Sequence, residues 1–186
     1  DVNATNQDIF DSLLMHIDNV LNGYNSTIFA YGQTGSGKTF SLTGGKTFAE
    51  RGLIPRSVEY FWNSPKLFKI SCSYVEIHNN AVRDLLSAES KGSRSKSGNR
   101  GTSSGFKTNS RNENISIHTA ENESDLIALL FRGNVKRMNC ETFMNHASSR
   151  SHCIFTMYVE TYDENNIDKT KSSKFHLVDL AGSEDV

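Results

Sequence analysis

The sequence predicts an α/β fold, a sandwich in which helices pack on a central mixed sheet. Helical and strand-like segments alternate along the chain, and this order is typical of a sheet covered by helices. The last two strand-like segments are joined by a polar turn that is too short for a crossover helix, which predicts an antiparallel hairpin in an otherwise helix-connected sheet. The chain has 186 residues, enough for one domain with a substantial core.

The first predicted helix runs from Thr5 to Leu21. Thr5 is a favourable N-cap, and apolar residues recur behind it at helical spacing. Gly23 is expected to end this helix. The next segment, from Ser26 to Tyr31, is short and β-prone and leads into glycine, so it is predicted to be a buried parallel strand that ends in a loop.

A second helix is predicted to begin at Lys38. The loop from Gly44 to Gly52 interrupts it, and the helix resumes near Pro55, a residue that fits a first helical turn. Phe68 to Ile77 contains β-branched and aromatic residues and is predicted to be a strand.

The C-terminal half is predicted to contain three further strands and one helix. A short strand is expected from Ile115 to His118, and a helix from about Ser124. Cys153 to Tyr162 and Lys174 to Leu180 are predicted to be the strands of the hairpin, with a polar turn from Asp163 to Lys171 between them.

The segment from about Ser87 to Asn114 departs from this pattern. It is rich in Ser, Gly, Lys, Arg and Asn, and Phe106 is its only large apolar residue. Such a segment cannot bury enough apolar surface to offset its ordering entropy, so it is predicted to be a disordered insertion in a single domain over residues 1–186. It contains six basic and two acidic residues. A solvated linker and a basic contact with an acidic partner both remain open.

The overall composition is that of a soluble globular protein, with 36% hydrophobic residues, 22% charged residues and a net charge of -1. It predicts neither a nucleic acid nor a membrane as partner, and no apolar run approaches the roughly 20 residues that span a bilayer. Cys72, Cys140 and Cys153 show no metal-ligand spacing and are predicted to be reduced thiols of an intracellular protein.

A phosphate-binding loop is predicted where the first strand meets the second helix. The residues that match the Walker A pattern are Gly32, Gln33, Thr34, Gly35, Ser36, Gly37, Lys38 and Thr39. Glycines let backbone N–H groups turn toward phosphates, and the start of a helix adds its positive end. Lys38 supplies a cation for the β- and γ-phosphates, and the Thr39 hydroxyl can ligate Mg²⁺. A flexible glycine-rich turn is the alternative, but the flanking strand and helix are the context that the motif requires.

Two later segments can complete such a site. Asp179 ends a predicted apolar strand, where a carboxylate holds Mg²⁺ through water, and Gly182 beyond it offers a backbone N–H to a γ-phosphate. Asn145 to His152 contains three hydroxyls and Arg150, which can order Mg²⁺ and an attacking water unless the segment is only a solvated turn. Arg150 requires a carboxylate partner, for which Glu184 is the candidate.

Together these motifs resemble the kinesin family. The matching segments are Thr27 to Thr39, Asn145 to His152 and Leu177 to Glu184, with further matches at Ser73 to Ile77, Asp84 to Leu86, Gly133, Asn134 and Arg137. The resemblance implies the kinesin motor fold, a P-loop NTPase-type three-layer α/β sandwich with a mixed, mainly parallel sheet. It also implies that this fold is incomplete at both ends of the chain, so the chain alone is expected to be inactive.

The resemblance implies a role for each site residue. The loop from Gly32 to Thr39 would bind the phosphates of ATP, and Gly182 would sense the γ-phosphate. Mg²⁺ would be ligated by Thr39 and Ser149 and held by Asp179. Asn145 and Ser148 would place the water and the γ-phosphate, while Arg150 and Glu184 would form a salt bridge around the lytic water. His152 belongs to the motif, and only packing is assigned to it.

By the same resemblance, the protein is expected to be a microtubule-stimulated ATPase on the cytoplasmic microtubule cytoskeleton. The basic insertion falls where kinesins contact tubulin. Thr43 to Gly45, Glu50 to Arg56 and Ser151 to Thr156 resemble the kinesins of cilia and flagella. Dimerisation through a coiled coil outside this chain remains open. The competing hypotheses are a nonmotor microtubule-binding module without turnover and a generic P-loop GTPase or phosphotransferase.

Overall fold

The computed structural model describes residues 4–87, 115–143, 151–163 and 166–185, so the predicted insertion lies, apart from Ser87, outside the described residues. The described helices are α1 (Asn6–Leu21), α2 (Lys38–Thr43), α3 (Leu53–Trp62) and α4 (Glu123–Phe143). The described strands are β1 (Ser26–Ala30), β2 (Phe68–His78), β3 (Ala81–Asp84), β4 (His118–Ala120), β5 (His152–Asp163) and β6 (Asn166–Asp179). A 3-10 helix at Ser183–Asp185 follows β6.

The strands form one mixed sheet in the order β1-β6-β5-β2-β3, with β4 paired to β2. Only β1 and β6 pair in parallel among the described strands, and the other pairs are antiparallel. The α/β class and the mixed sheet are therefore confirmed, but the prediction of a mainly parallel sheet is wrong. Only two residues separate β2 from β3, and only two separate β5 from β6, and connections this short permit only antiparallel pairing.

β1 pairs in parallel as predicted but is not buried on both faces. It lies at the edge of the described sheet, and the side chain of Phe29 is 61% exposed. Its inward-facing residues, such as Ile28, pack against the core. The prediction of a buried strand is thus wrong for one of its two faces.

The helix boundaries follow local sequence rules. The Thr5 side chain accepts a hydrogen bond from the Asp8 N–H, and the Asp8 carboxylate accepts one from the Thr5 N–H at 2.7 Å, which forms a capping box. Gly23 follows the end of α1 with a φ of 91°. α2 begins at Lys38 as predicted, and Pro55 lies in the first turn of α3.

Three strand predictions require correction. β6 begins at Asn166, so much of the predicted turn from Asp163 to Lys171 is strand, because a polar segment can pair at the exposed end of a sheet. β4 begins at His118, where pairing with β2 starts, and not at Ile115 as predicted. β3 was not predicted. It follows a two-residue turn in which Asn79 and Asn80 have φ values of 48° and 61°, as hairpin turns require.

The described helices share one hydrophobic core on one face of the sheet. Phe155 and Met157 of β5 are buried on this face, and Phe61 of α3 meets Phe175 of β6 with ring centroids 6.3 Å apart. The described residues therefore form two layers, and the third layer of the sandwich stays a prediction. No helix in the described part of the chain is long and apolar enough to cross a bilayer.

Phe61→Ala is expected to lower the free energy of unfolding of the complete protein by about 3–5 kcal/mol, because it empties a fully buried aromatic site. The matched control is Phe131→Ala, since that side chain is 61% exposed. The control should change the free energy by less than about 0.5 kcal/mol. Urea unfolding followed by circular dichroism measures both, and equal effects would contradict the packing described above.

Candidate functional site

The parallel pairing of β1 with β6 brings two predicted site segments together. Its register places Ala30 beside Asp179, the last residue of each strand. The loop Gly32–Thr39 leaves β1 at this point, and the Ser183 N–H donates a hydrogen bond to the Gly32 carbonyl at 3.2 Å. The phosphate-binding loop and the segment after β6 are therefore neighbours. This is the arrangement predicted for a Walker A loop and the metal-binding acid Asp179.

Two glycines give this loop its shape. Gly35 and Gly37 have φ values of 78° and 91°, which residues with a Cβ rarely adopt. A Cβ added at either position would meet no atom within 4 Å. The loop thus borders open space that a side chain would otherwise fill, and its backbone N–H groups can approach a ligand closely.

A pocket of about 300 Å³ opens beside the loop. Its lining residues are Thr34, Gly35, Gly37, Lys38, Thr39, Phe40, Arg137, Asp179, Leu180 and Gly182. The predicted site residues Gly32, Gln33 and Ser36 do not line it. Ser36 lies against Gly32 instead, and a Cβ at Gly32 would come within 2.7 Å of the Ser36 Oγ.

The Lys38 ammonium is held over the loop by backbone carbonyls. Its Nζ donates hydrogen bonds to the carbonyl oxygens of Gly32 at 2.7 Å and Gln33 at 2.9 Å. Both partners are neutral, so the charge of the ammonium remains available to an anion. Hydrogen bonds between an ammonium and a phosphate are stronger than those it makes with carbonyls, so a phosphate in the pocket would draw Lys38 toward it.

Asp179 is the acceptor at the centre of the site. Its Oδ2 accepts hydrogen bonds from the Thr39 Oγ1 at 2.6 Å and from the Arg137 Nη1 at 2.9 Å. Asp179 is 6% exposed and Arg137 is 8% exposed, so the guanidinium compensates a carboxylate that would be costly to bury alone. Arg137 lines the site, but the sequence analysis noted it only as a residue that matches the family. Its partner Asp179 could not be predicted, because no residue close to Arg137 in the sequence indicates it.

The oxygen donors at this position fit Mg²⁺, which prefers oxygen ligands. Because the Thr39 hydroxyl gives its hydrogen to Asp179, the lone pairs of the Thr39 oxygen remain for a metal. The second carboxylate oxygen of Asp179 can accept a hydrogen bond from a metal-bound water. The adjacent Arg137 charge would weaken the attraction for a cation, so the phosphates of a nucleotide would have to supply part of the binding.

The Gly182 N–H is oriented by its neighbours. The Ala181 N–H donates to the His152 Nδ1 at 3.0 Å, and the Ser183 N–H donates to the Gly32 carbonyl. In the part of the chain that the structure describes, the Gly182 N–H itself donates no hydrogen bond. A Cβ at Gly182 would lie 2.5 Å from the Thr34 Oγ1 and 2.5 Å from the Glu184 Oε1, so one or both of these side chains would have to move.

Glu184 contacts the phosphate-binding loop. Its two carboxylate oxygens accept hydrogen bonds from the Thr34 N–H at 2.9 Å and 3.1 Å. Hydrogen bonding by the Thr34 side chain and backbone, aided by the charge of Lys38, lowers the pKa of the Glu184 carboxyl below its ordinary value. The carboxylate is therefore ionised at neutral pH.

The predicted partner of Glu184 lies outside the described residues, as do the other predicted residues of the same segment. These are Asn145, Ser148, Ser149 and Arg150. The salt bridge between Arg150 and Glu184 and the metal-ligand role of Ser149 therefore stay predictions.

Phe40 is a pocket residue that sequence reasoning missed. It follows the Walker A residues directly, lines the pocket and is 46% exposed. An exposed aromatic ring beside a phosphate-binding loop is a suitable surface for stacking a planar base. Its position immediately after Thr39 is the feature of the sequence that could have identified it.

Comparison with known proteins shows which molecules this chain resembles. The family model described as kinesin motor domain matches residues 1–186. The chain is 37% identical over 196 residues to kinesin-like protein Klp98A of Drosophila melanogaster, a match that covers 97% of this chain and 14% of that protein. It is 37% identical over 182 residues to kinesin-like protein KLP1 of Chlamydomonas reinhardtii, which covers 90% of this chain and 22% of that protein.

A solved structure has a similar fold. It is the structure of a fast kinesin, described with implications for its ATPase mechanism and its interactions with microtubules, and it matches with a TM-score of 0.77 and 32% identity. The match covers 97% of this chain and 51% of the solved chain. The chain thus spans about half of that chain and a smaller part of the two curated relatives.

Gly182→Ala is expected to leave ADP affinity within about twofold of wild type but to lower ATP turnover about 100-fold, as loss of one preorganised N–H donor does. The added Cβ would meet the side chains of Thr34 and Glu184, and we expect the resulting crowding to disturb the N–H of residue 182. Fluorescent-ADP titration and steady-state phosphate release, in the complete protein, measure the two effects. Unchanged turnover would show that this N–H has no part in the reaction.

Proposed function

The chain belongs to the kinesin motor domain family, and from this premise we propose that it binds MgATP and hydrolyses it in a reaction coupled to microtubule binding and movement. The observation that supports this most directly is the convergence of Lys38, Thr39 and Asp179 on one pocket. A generic P-loop GTPase or phosphotransferase would share this convergence. It would not account for the family match over residues 1–186.

In the proposed complex, the phosphates lie along the loop. The N–H groups from Gly35 to Thr39 face them, and Lys38 exchanges its carbonyl partners for the β- and γ-phosphate oxygens. Thr39 and Asp179 would hold Mg²⁺, and Ser149 would be a further ligand. Bound Mg²⁺ would neutralise the charge on the phosphates. Phe40 offers its exposed ring to the base, a contact that is worth roughly 1–3 kcal/mol per base where it has been tested by alanine substitution.

Hydrolysis requires a water that is positioned and able to lose its proton. We assign the positioning to Asn145, Ser148 and the Gly182 N–H. The Glu184 carboxylate leaves the Thr34 N–H and forms a salt bridge with the Arg150 guanidinium, and this salt bridge closes the site. Glu184 then receives the proton of the attacking water through a second water. This exchange of partners is open to an exposed carboxylate that, among the described residues, is held by hydrogen bonds with Thr34.

The proposed partner is the microtubule, and the proposed location is the microtubule cytoskeleton. The basic insertion is one candidate contact with the acidic surface of tubulin, and it lies outside the described residues. A nonmotor module that kept the fold and lost turnover is the competing hypothesis. The intact geometry of Lys38, Thr39 and Asp179 disfavours it, since a site without turnover would be free to lose these residues. Assignment to the cilia and flagella subgroup stays a prediction.

Lys38→Ala in the complete motor domain is expected to weaken ATP binding by at least about 100-fold, because it removes the cation committed to the phosphates. The matched control is Lys46→Ala, a lysine in the loop after α2 that does not line the pocket. Titration with a fluorescent ATP analogue measures both variants. Near-normal affinity of Lys38→Ala would refute the nucleotide site.

Arg150→Ala and Glu184→Ala are each expected to bind ATP and to hydrolyse it roughly 10²–10⁴-fold more slowly than wild type. The double variant should be little slower than either single variant. If the two residues act only through their salt bridge, either substitution alone already removes it. Single-turnover phosphate release gives the four rates. Multiplicative losses would mean that the two residues act independently.

A further inference from the structure

His152 makes a contact that its assignment to packing did not anticipate. It is the first residue of β5, and its ring Nδ1 accepts a hydrogen bond from the Ala181 N–H at 3.0 Å. Ala181 lies in the segment after β6, directly before Gly182. The imidazole therefore joins the strand that follows the Asn145–His152 motif to the segment that presents the Gly182 N–H.

The hydrogen bond continues the sheet beyond its last backbone pair. The pairing of β5 with β6 ends where Cys153 faces Asp179, so His152 lies one residue past it. At His152 the acceptor for the Ala181 N–H is the side chain, whereas within the paired strands it is the backbone carbonyl. An Nδ1 acceptor requires that the ring hydrogen reside on Nε2.

The backbone that supports this imidazole is itself fixed. His152 pairs with Ile77 of β2, and the preceding Ser151 is 1% exposed. The Ser151 hydroxyl donates a hydrogen bond at 2.9 Å to the carboxylate of Glu76, a residue that is 7% exposed. The backbone that carries the His152 ring is thus held by the sheet and not by the loop that the ring contacts.

The contact completes a set of anchors around Gly182. The Leu180 N–H donates to the Ala30 carbonyl at 3.2 Å, and the Ser183 N–H donates to the Gly32 carbonyl at 3.2 Å. With the Ala181 N–H on His152, the residues on both sides of Gly182 are hydrogen-bonded. Without the His152 acceptor, the peptide between Leu180 and Ala181 could rotate. The Gly182 N–H lies on the next peptide, which would then be held only on its Ser183 side.

We propose that His152 is a positioning residue that, through the Ala181 N–H, aims the Gly182 N–H at the γ-phosphate. This inference rests on the proposed function, because it assigns His152 a part in ATP hydrolysis. A packing role would depend on the volume of the ring, whereas this role depends on an acceptor atom at the Nδ1 position. The two roles therefore predict different outcomes for substitutions of similar size.

The test compares His152→Asn with His152→Gln in the complete motor domain. Asparagine can place its amide oxygen near the Nδ1 position, whereas glutamine places its polar atoms near Nε2. His152→Gln is expected to lower kcat about tenfold and to reduce the ratio of AMPPNP affinity to ADP affinity by a similar factor, with ADP affinity unchanged. His152→Asn is expected to stay within about twofold of wild type in all three quantities.

His176→Gln is the control for loss of a histidine from the sheet. His176 is hydrogen-bonded to the Thr156 hydroxyl and, among the described residues, makes no hydrogen bond to the Ala181 segment, so its variant should match wild type. Equal behaviour of the asparagine and glutamine variants at position 152, or loss of ADP binding in the glutamine variant, would overturn the proposal. Absence of turnover in the wild type would instead refute the proposed function. An active wild type with an unaffected glutamine variant would refute only the role of His152.

Discussion

The parallel pairing of β1 with β6 sets the phosphate-binding loop beside the acid that ends the neighbouring strand. Parallel strands deliver their C-terminal ends to the same edge of a sheet, so the segments that leave them are adjacent. Thr39 on α2 and Arg137 on α4 can both reach Asp179 because that residue is fixed at this edge. The antiparallel strands complete the sheet that holds the edge in place.

The same edge explains how a bound phosphate could be detected. Hydrogen bonds tie the segment after Asp179 to the loop at Gly32 and to the strand β5 at His152. Glu184 adds a third connection, to the Thr34 N–H. Under the proposed function, a change at the γ-phosphate position could therefore reach β5 and the phosphate-binding loop through short hydrogen bonds.

Sequence predicted the features that depend on neighbouring residues. The cap at Thr5 and the helix that begins at Lys38 are examples, since both depend on residues within a few positions. Half of the residues that line the pocket belong to one continuous sequence motif. The role of Arg137 could not be predicted from the sequence, because its partner Asp179 is 42 residues away. The antiparallel majority of the sheet was missed because strand direction depends on pairing between distant segments. The hairpin at Asn79 and Asn80 depends on a local turn, and that turn was not recognised in the sequence.

The measurement that tests this account most directly is phosphate release by the complete motor domain, with ATP and Mg²⁺, in the presence and absence of microtubules. The account predicts slow release by the motor domain alone and a marked increase as microtubules are added, both abolished when Mg²⁺ is chelated. Release that is absent under every condition, from a protein that is folded and binds microtubules, would contradict it. The site at the edge of β1 and β6 would then be a structural remnant rather than the centre of an ATPase.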